Sequence, residues 1–137
     1  MVYGGEAFAV SPLTEDSNTI ISLVPTLNPT LLPSYGSNTE DAIATALELI
    51  NNGGYQQADL LLVSDGVDRS AFGDISAQLS QSNIRLNILA IGTAEGAPIP
   101  LGNGGFVKDQ NDSIILPRLD TSSLRQLAAI GNGGFFT

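Results

Sequence analysis

The residues able to do chemistry in this chain fall into two short segments, Gly36-Ser37-Asn38-Thr39-Glu40-Asp41 and Asp65-Gly66-Val67-Asp68. The first offers hydroxyls and the second carboxylates, all of them hard oxygen donors. That combination suits magnesium, calcium or manganese and nothing softer. The sequence leaves few rivals to it. Its 137 residues contain no cysteine and no histidine, which removes disulfides, thiol catalysis, the usual zinc sites, haem ligation and every histidine-based acid–base pair.

Charge narrows the partners. The formal net charge is −9, and the five basic residues, Arg69, Arg85, Lys108, Arg118 and Arg125, are scattered singly. Such a surface repels a phosphate backbone, so nucleic acid is not an expected partner. It suits a divalent cation or a basic protein surface, although acidity also serves solubility alone. Hydrophobic residues make up 42% and charged residues 14%, the balance of one compact globular domain over residues 1–137. The strongest apolar runs, Leu60 to Val63 and Ile88 to Ile91, fall far short of the ~20 residues a membrane helix needs. Met1-Val2-Tyr3-Gly4-Gly5 carries no basic leader region, so the chain reads as soluble as given.

The elements that must position the two segments alternate between strand and helix, which predicts an α/β fold with a mostly parallel sheet and helices on both faces. Ala7 to Val10 reads as a short strand. Thr14 is expected to cap a helix with Glu15 and Asp16 in its first turn and a buried face of Ile20, Ile21, Leu23 and Val24, stopped by Pro25. Pro25, Pro29 and Pro33 then mark a stiff crossing to Tyr35-Gly36. Ala42, Ile43, Ala46, Leu47 and Ile50 recur at helical spacing, ended by Asn51-Asn52-Gly53-Gly54. The run from Asp59 to Gly66 reads as a strand apolar on both faces, hence central in a covered sheet. A helix with Phe72, Ile75 and Leu79 inward leads to a strand over Ile84 to Ile91. Ala97 to Val107 and Ser113 to Leu116 suggest an extended hairpin, with turns at Gly102-Asn103-Gly104-Gly105 and at Asp109 to Asp112. Asp120 or Thr121 caps a last helix carrying Leu124, Leu127 and Ala128. Gly131 ends it before a final strand over Gly134 to Thr137. Gly-Asn-Gly-Gly-Phe occurs at 102–106 and again at 131–135, as turn chemistry used twice.

Those segments carry a resemblance. Gly36-Ser37-Asn38-Thr39, a helix, and then Leu61-Leu62-Val63-Ser64-Asp65-Gly66 resemble the second and third loops of von Willebrand factor A domains. Glu6 to Asp16 is similar to that family's third strand and following turn. Ile91-Gly92-Thr93-Ala94-Glu95-Gly96-Ala97-Pro98-Ile99-Pro100-Leu101 resembles a segment of the bacterial Bat aerotolerance-type branch, as does Leu124-Arg125-Gln126-Leu127-Ala128 before a Gly-Gly-Phe strand. The resemblance implies a Rossmann-like three-layer fold and a metal-ion-dependent adhesion site for Mg2+, or Ca2+ or Mn2+. It implies Asp65 as the third-loop ligand and Ser37 as the second-loop hydroxyl, with Thr39 next in line. A carboxylate from a protein partner would complete the octahedron. For the Bat branch it further implies a protein anchored in the bacterial inner membrane beside a MoxR-type AAA+ ATPase.

One part of the pattern is missing. The family's Asp-x-Ser-x-Ser loop occurs nowhere in the sequence, and Met1-Val2-Tyr3 resembles the tail of its second strand. The expectation is therefore a single domain lacking the first strand and first helix, with weak or absent metal binding. The strand ending at Asp65 would lose a neighbour, and self-association would follow.

Plainer readings stand beside these. Asp65-Gly66 is a common strand-to-turn pair, and Thr39 with Glu40 and Asp41 reads as a helix cap. Ser37 can make a local turn, and Asp68 can cap the helix holding Phe72. For function, the leading reading is an interaction module and not an enzyme. The alternatives are a metal-dependent phosphoryl hydrolase using Asp65 and Asp68, or a fragment without activity of its own.

Overall fold

A computed structural model describes all residues except 29–31, 35 and 103. Pro29 and Tyr35 of the expected crossing, and Asn103 of the first hairpin turn, therefore lie outside the described residues. The fold is mixed α/β, with a three-stranded parallel sheet and helices, consistent with a Rossmann-like arrangement. The chain divides into two compact units, Met1–Leu60 with Asp68–Arg85, and Leu61–Val67 with Leu86–Thr137.

The first unit opens with a small antiparallel pair, β1 (Val2–Tyr3) and β2 (Ala7–Phe8). Next comes α1 (Ser17–Leu23), capped by Asp16, whose carboxylate accepts from the Asn18 backbone and the Thr19 hydroxyl at 3.0 and 2.7 Å. Thr14 does not cap it; its hydroxyl accepts the Asp16 N–H one step earlier, at 3.0 Å. Glu15 and Asp16 accordingly precede the helix and do not fill its first turn. Nor is the helix buried. Ile20, Ile21 and Val24 are 42%, 66% and 58% exposed, and Pro25 sits in a 3-10 turn over Val24–Thr26. Apolar side chains report a preference for burial; they do not supply the surface that buries them.

The helix with the clearest spacing is α2 (Thr39–Asn52), which buries Ala42, Ile43, Ala46 and Ile50 as its periodicity predicts. It packs on α3 (Phe72–Ser80), whose buried side chains are Phe72, Ile75 and Leu79. The Asp41 carboxylate, in the first turn of α2, accepts the Ala7 N–H at 2.7 Å and ties the helix to β2. Asn38 N–H donates to the Gly4 carbonyl at 2.7 Å, so the loop entering α2 is fixed to the start of the chain.

The paired part of the sheet runs in the order β3 (Gln57–Ser64), β4 (Asn83–Ala90), β5 (Asn132–Phe136), and residues 61–64, 86–90 and all of β5 belong to the second unit. β4 buries Ile84, Leu86, Ile88 and Ala90 on alternate positions and pairs in parallel with β5. β3 carried two expectations, a central place from its apolar run and a lost neighbour from the absent first strand. Among the described residues it stands at the sheet edge, with Leu62 buried but Leu61 and Val63 more than half exposed. Unbroken apolarity concealed a strand with one open face.

α4 (Thr121–Ile130) packs on β5 through a face of Leu124, Leu127 and Ala128. Its cap is Asp120, which accepts from the Ser123 N–H at 3.1 Å. Between β4 and α4 the chain makes two successive antiparallel turns, bridged at Pro100–Phe106 and Lys108–Ile114, in place of a full hairpin ladder.

Candidate functional site

Ser37 and Thr39 come together, with acidic residues, in the first unit. They line a cavity of about 300 Å³ shared with Glu40, Asp68, Ser70 and Asp74. Two helix beginnings build it: the start of α2, and the 3-10 turn Arg69–Ala71 that leads into α3.

The division of labour at the start of α2 is specific. Asn38, not Thr39, is the cap, and its side-chain Oδ1 accepts the Asp41 N–H at 3.1 Å. Thr39 is the first helical residue. It is 2% exposed, and its hydroxyl oxygen has no hydrogen-bond partner. A cap looks out from the helix end and pairs with the backbone; a hydroxyl one residue further on has lost that option. The plain reading of Thr39 as a cap is thus corrected by a one-residue shift. Buried hydroxyls left without a partner are rare and call for an explanation.

Asp68 caps the opposite side. Its carboxylate accepts the Ser70 N–H at 2.8 Å. That backbone bond, together with the Ser70 hydroxyl, holds the Asp68 carboxyl below its usual range. Asp74 lies in the first turn of α3. No basic side chain lines the cavity. Ser70 and Asp74 were not singled out from the sequence as members of a site, and Glu40 entered only as part of the segment 36–41 and as a residue of the helix start. Their spacing marks helix starts only, and nothing local announces that two starts share one hollow.

Asp65 belongs to the second unit and does not line this cavity. It leaves the carboxyl end of β3, exposed, with its backbone carbonyl accepting the N–H of Asp120 at 3.2 Å. Just before it, the Ser64 hydroxyl donates to the Gly66 carbonyl at 2.7 Å and closes the turn. Ile91 N–H donates to the Ser64 carbonyl at 3.0 Å, so the ends of β3 and β4 remain paired up to the point where Asp65 departs. Among the described residues no group of three or more carboxylates could hold a metal ion.

A further hollow of the first unit is larger and apolar, about 830 Å³, bordered by Tyr3, Phe8, Val10, Leu27 and Leu32. Among the described residues no helix is long and apolar enough to cross a membrane.

No protein-family model and no curated protein matches the chain. Solved structures do. The fold is similar to an aerotolerance-related membrane protein from Bacteroides fragilis NCTC 9343, crystallised with multiple mutations to serines, with 25% identity and a TM-score of 0.84 over 98% of this chain and 67% of that one. It is likewise similar to the conserved hypothetical protein BatB from Bacteroides thetaiotaomicron, with 25% identity and a TM-score of 0.82 over 98% of this chain and 66% of that one. The chain thus spans about two thirds of the length of these structures, and its fold is of the Bat aerotolerance-related kind.

Proposed function

We propose that this chain is a metal-dependent protein-interaction module of the von Willebrand factor A type, from a Bat-like protein. The observation that carries the reading is that Ser37 and Thr39 line one oxygen-rich cavity, with the Thr39 hydroxyl buried and without a hydrogen-bond partner. Similarity in fold to Bat aerotolerance-related proteins supports it independently.

In this reading Ser37 and Thr39 offer hydroxyls from the first unit, and the family resemblance adds the carboxylate of Asp65 as the third-loop ligand. These are hard donors fit for Mg2+, Ca2+ or Mn2+. One carboxylate and two hydroxyls fall short of six ligands, so affinity in this chain is weak and the remaining positions go to water and to an acidic side chain of the partner. When bound, the cation supplies a positive charge that a partner carboxylate can reach. The work of this chain's residues is to hold oxygens in place, not to move protons or break bonds. The reading carries over membrane anchoring by segments outside residues 1–137, and action beside a MoxR-type AAA+ ATPase.

Asp68, the second carboxylate a hydrolase would need, is engaged in capping the Arg69–Ala71 turn. That disfavours the enzymatic alternative.

Titration with Mn2+, followed by NMR line broadening, tests the proposal. Broadening should centre on the amides of Ser37, Thr39 and Asp65, reverse with excess Mg2+, and vanish at all three in Asp65→Asn. Broadening spread over the acidic surface and indifferent to Asp65→Asn would overturn it. So would Mg2+-dependent phosphatase turnover that Asp65→Asn abolishes.

A further inference from the structure

The apolar hollow of the first unit, about 830 Å³, is bordered among the described residues by Val2, Tyr3, Phe8, Val10, Leu27 and Leu32. Its apolar border continues along α1. Ile20, Val24 and Leu27 follow one another at intervals of four and three, the spacing of one helical face, and all three are exposed. No residue of α1 or of the 3-10 turn after it is buried. Exposed apolar side chains that stand singly are ordinary, whereas a run of them leading to an apolar hollow marks an interaction surface.

Charge decides what kind of partner fits. Arg69 is the first basic side chain in the sequence, and every charged side chain before it is a carboxylate. Glu6 lies in the turn between β1 and β2, and Glu15 and Asp16 immediately precede α1. The elements around the hollow therefore set three carboxylates against the amino group of Met1 alone. A second copy brings the same carboxylates to the same face and is repelled, as is an anionic lipid surface.

We propose that this surface receives a cationic amphipathic helix of a protein partner. The partner's apolar face, with anchors at helical spacing, lies along the Ile20–Val24–Leu27 stripe and sets a side chain into the hollow. Its lysines or arginines flank that face and meet Glu6, Glu15 and Asp16. Apolar burial supplies most of the affinity, while the carboxylates select the sign of the partner and steer its approach. The inference goes beyond the metal reading and is independent of it, since it uses none of Ser37, Thr39 and Asp65.

The test is an NMR titration of the intact chain with a synthetic peptide of roughly four helical turns, leucine on one face and lysine on the other. One control peptide carries glutamate in place of lysine; a second has the first peptide's composition in scrambled order. The leucine–lysine peptide should shift the amides of Tyr3, Phe8, Val24 and Leu27, equally with and without Mg2+, and added salt should weaken it. Ile20→Ser with Val24→Ser removes two exposed side chains, so the fold is kept, and should raise the dissociation constant about fivefold. Glu6→Gln with Glu15→Gln should raise it by a similar factor and flatten the salt dependence. Asp16 is left in place because it caps α1.

Either control peptide binding as tightly as the first would overturn the proposal, as would shifts spread evenly over the acidic surface. Shifts of the same amides on raising the protein concentration without peptide would assign the surface to a second copy instead. Localised shifts with phosphatidylcholine vesicles and none with the peptide would assign it to a lipid surface. Failure of a metal ion to bind at Ser37, Thr39 and Asp65 would leave these results untouched, so the two readings fall separately.

Discussion

Asn38 and Asp41 close the first turn of α2 between them, with the Asn38 side-chain Oδ1 accepting the Asp41 N–H at 3.1 Å. Asp41 in turn spends its carboxylate on the Ala7 N–H at 2.7 Å. Thr39 lies between these two engaged residues and takes part in neither bond. Its hydroxyl is buried and has no hydrogen-bond partner.

The first prediction follows from that contrast. Asn38→Ala removes a cap and should cost about 1 kcal/mol of stability. Thr39→Val replaces a buried, unpartnered hydroxyl by a methyl of similar shape. Since stranding such a group costs about 1–3 kcal/mol, the substitution should be neutral or stabilising. Urea denaturation of both variants checks the pair. A marked loss in Thr39→Val would mean that the hydroxyl has a partner in the folded chain.

A second prediction concerns close approach between β4 and β5. Gly133 lies so near the Leu86 carbonyl that an added Cβ would overlap it, and Gly131 stands likewise against the Leu86 side chain. Leu86 N–H donates to the Gly131 carbonyl at 3.0 Å, so the strands cannot separate freely. Gly133→Ala should destabilise by about 1–3 kcal/mol through overpacking, a fall in Tm of several degrees. Gly73→Ala should act the opposite way. Gly73 sits inside α3 with nothing within 4 Å of an added Cβ, so alanine should gain about 0.5–1 kcal/mol from helix propensity. Thermal denaturation of the two variants should show shifts of opposite sign.

How far the sequence reached depends on what kind of fact was asked of it. The faces of α2 and α4 were legible, because Ala42-Ile43-Ala46-Ile50 and Leu124-Leu127-Ala128 repeat with the period of a helix and nothing competes with that signal. The caps Asp68 and Asp120 were legible for the same local reason. At α2, two cap-competent residues stand one apart, Asn38 and Thr39, and only tertiary placement decides between them. Burial was less legible. Ile20 and Ile21 look like core and Leu61 and Val63 look doubly buried, yet all four are exposed, because the letters of one segment say nothing of what lies opposite. The cavity was illegible, since Glu40 and Asp74 belong to separate helices and meet only in the folded unit.

The third prediction is of pH dependence. Asp16 is held below its usual pKa, first by the Thr19 hydroxyl and then by the Asn18 N–H. Asp68 is lowered by the Ser70 backbone and hydroxyl. A carboxyl whose folded pKa is depressed contributes stability fully above its unfolded value, near 3.8, and loses it as the pH falls through the lower folded value. Both caps should therefore be intact at neutral pH, and the α1 and Arg69–Ala71 turns should loosen only below about pH 4. Carboxyl-carbon NMR titration should place both midpoints below that of an unengaged aspartate. Midpoints at or above it would contradict the capping geometry.

The last prediction concerns the β3 edge. Leu61 and Val63 are 56% and 51% exposed on a strand that has a hydrogen-bonded neighbour on one side only among the described residues. A strand edge of this kind offers backbone donors and acceptors to any second strand, and apolar side chains on its open face reward the pairing. We propose that two copies of this chain pair through β3, which extends the sheet and sets Leu61 and Val63 of each copy beside those of the other. Sedimentation should then show a concentration-dependent dimer at micromolar protein. Leu61→Lys with Val63→Lys puts like charges together across the junction and should return the chain to monomer, with its helical signal unchanged. A wild-type chain that sediments as a folded monomer throughout that range would refute the pairing.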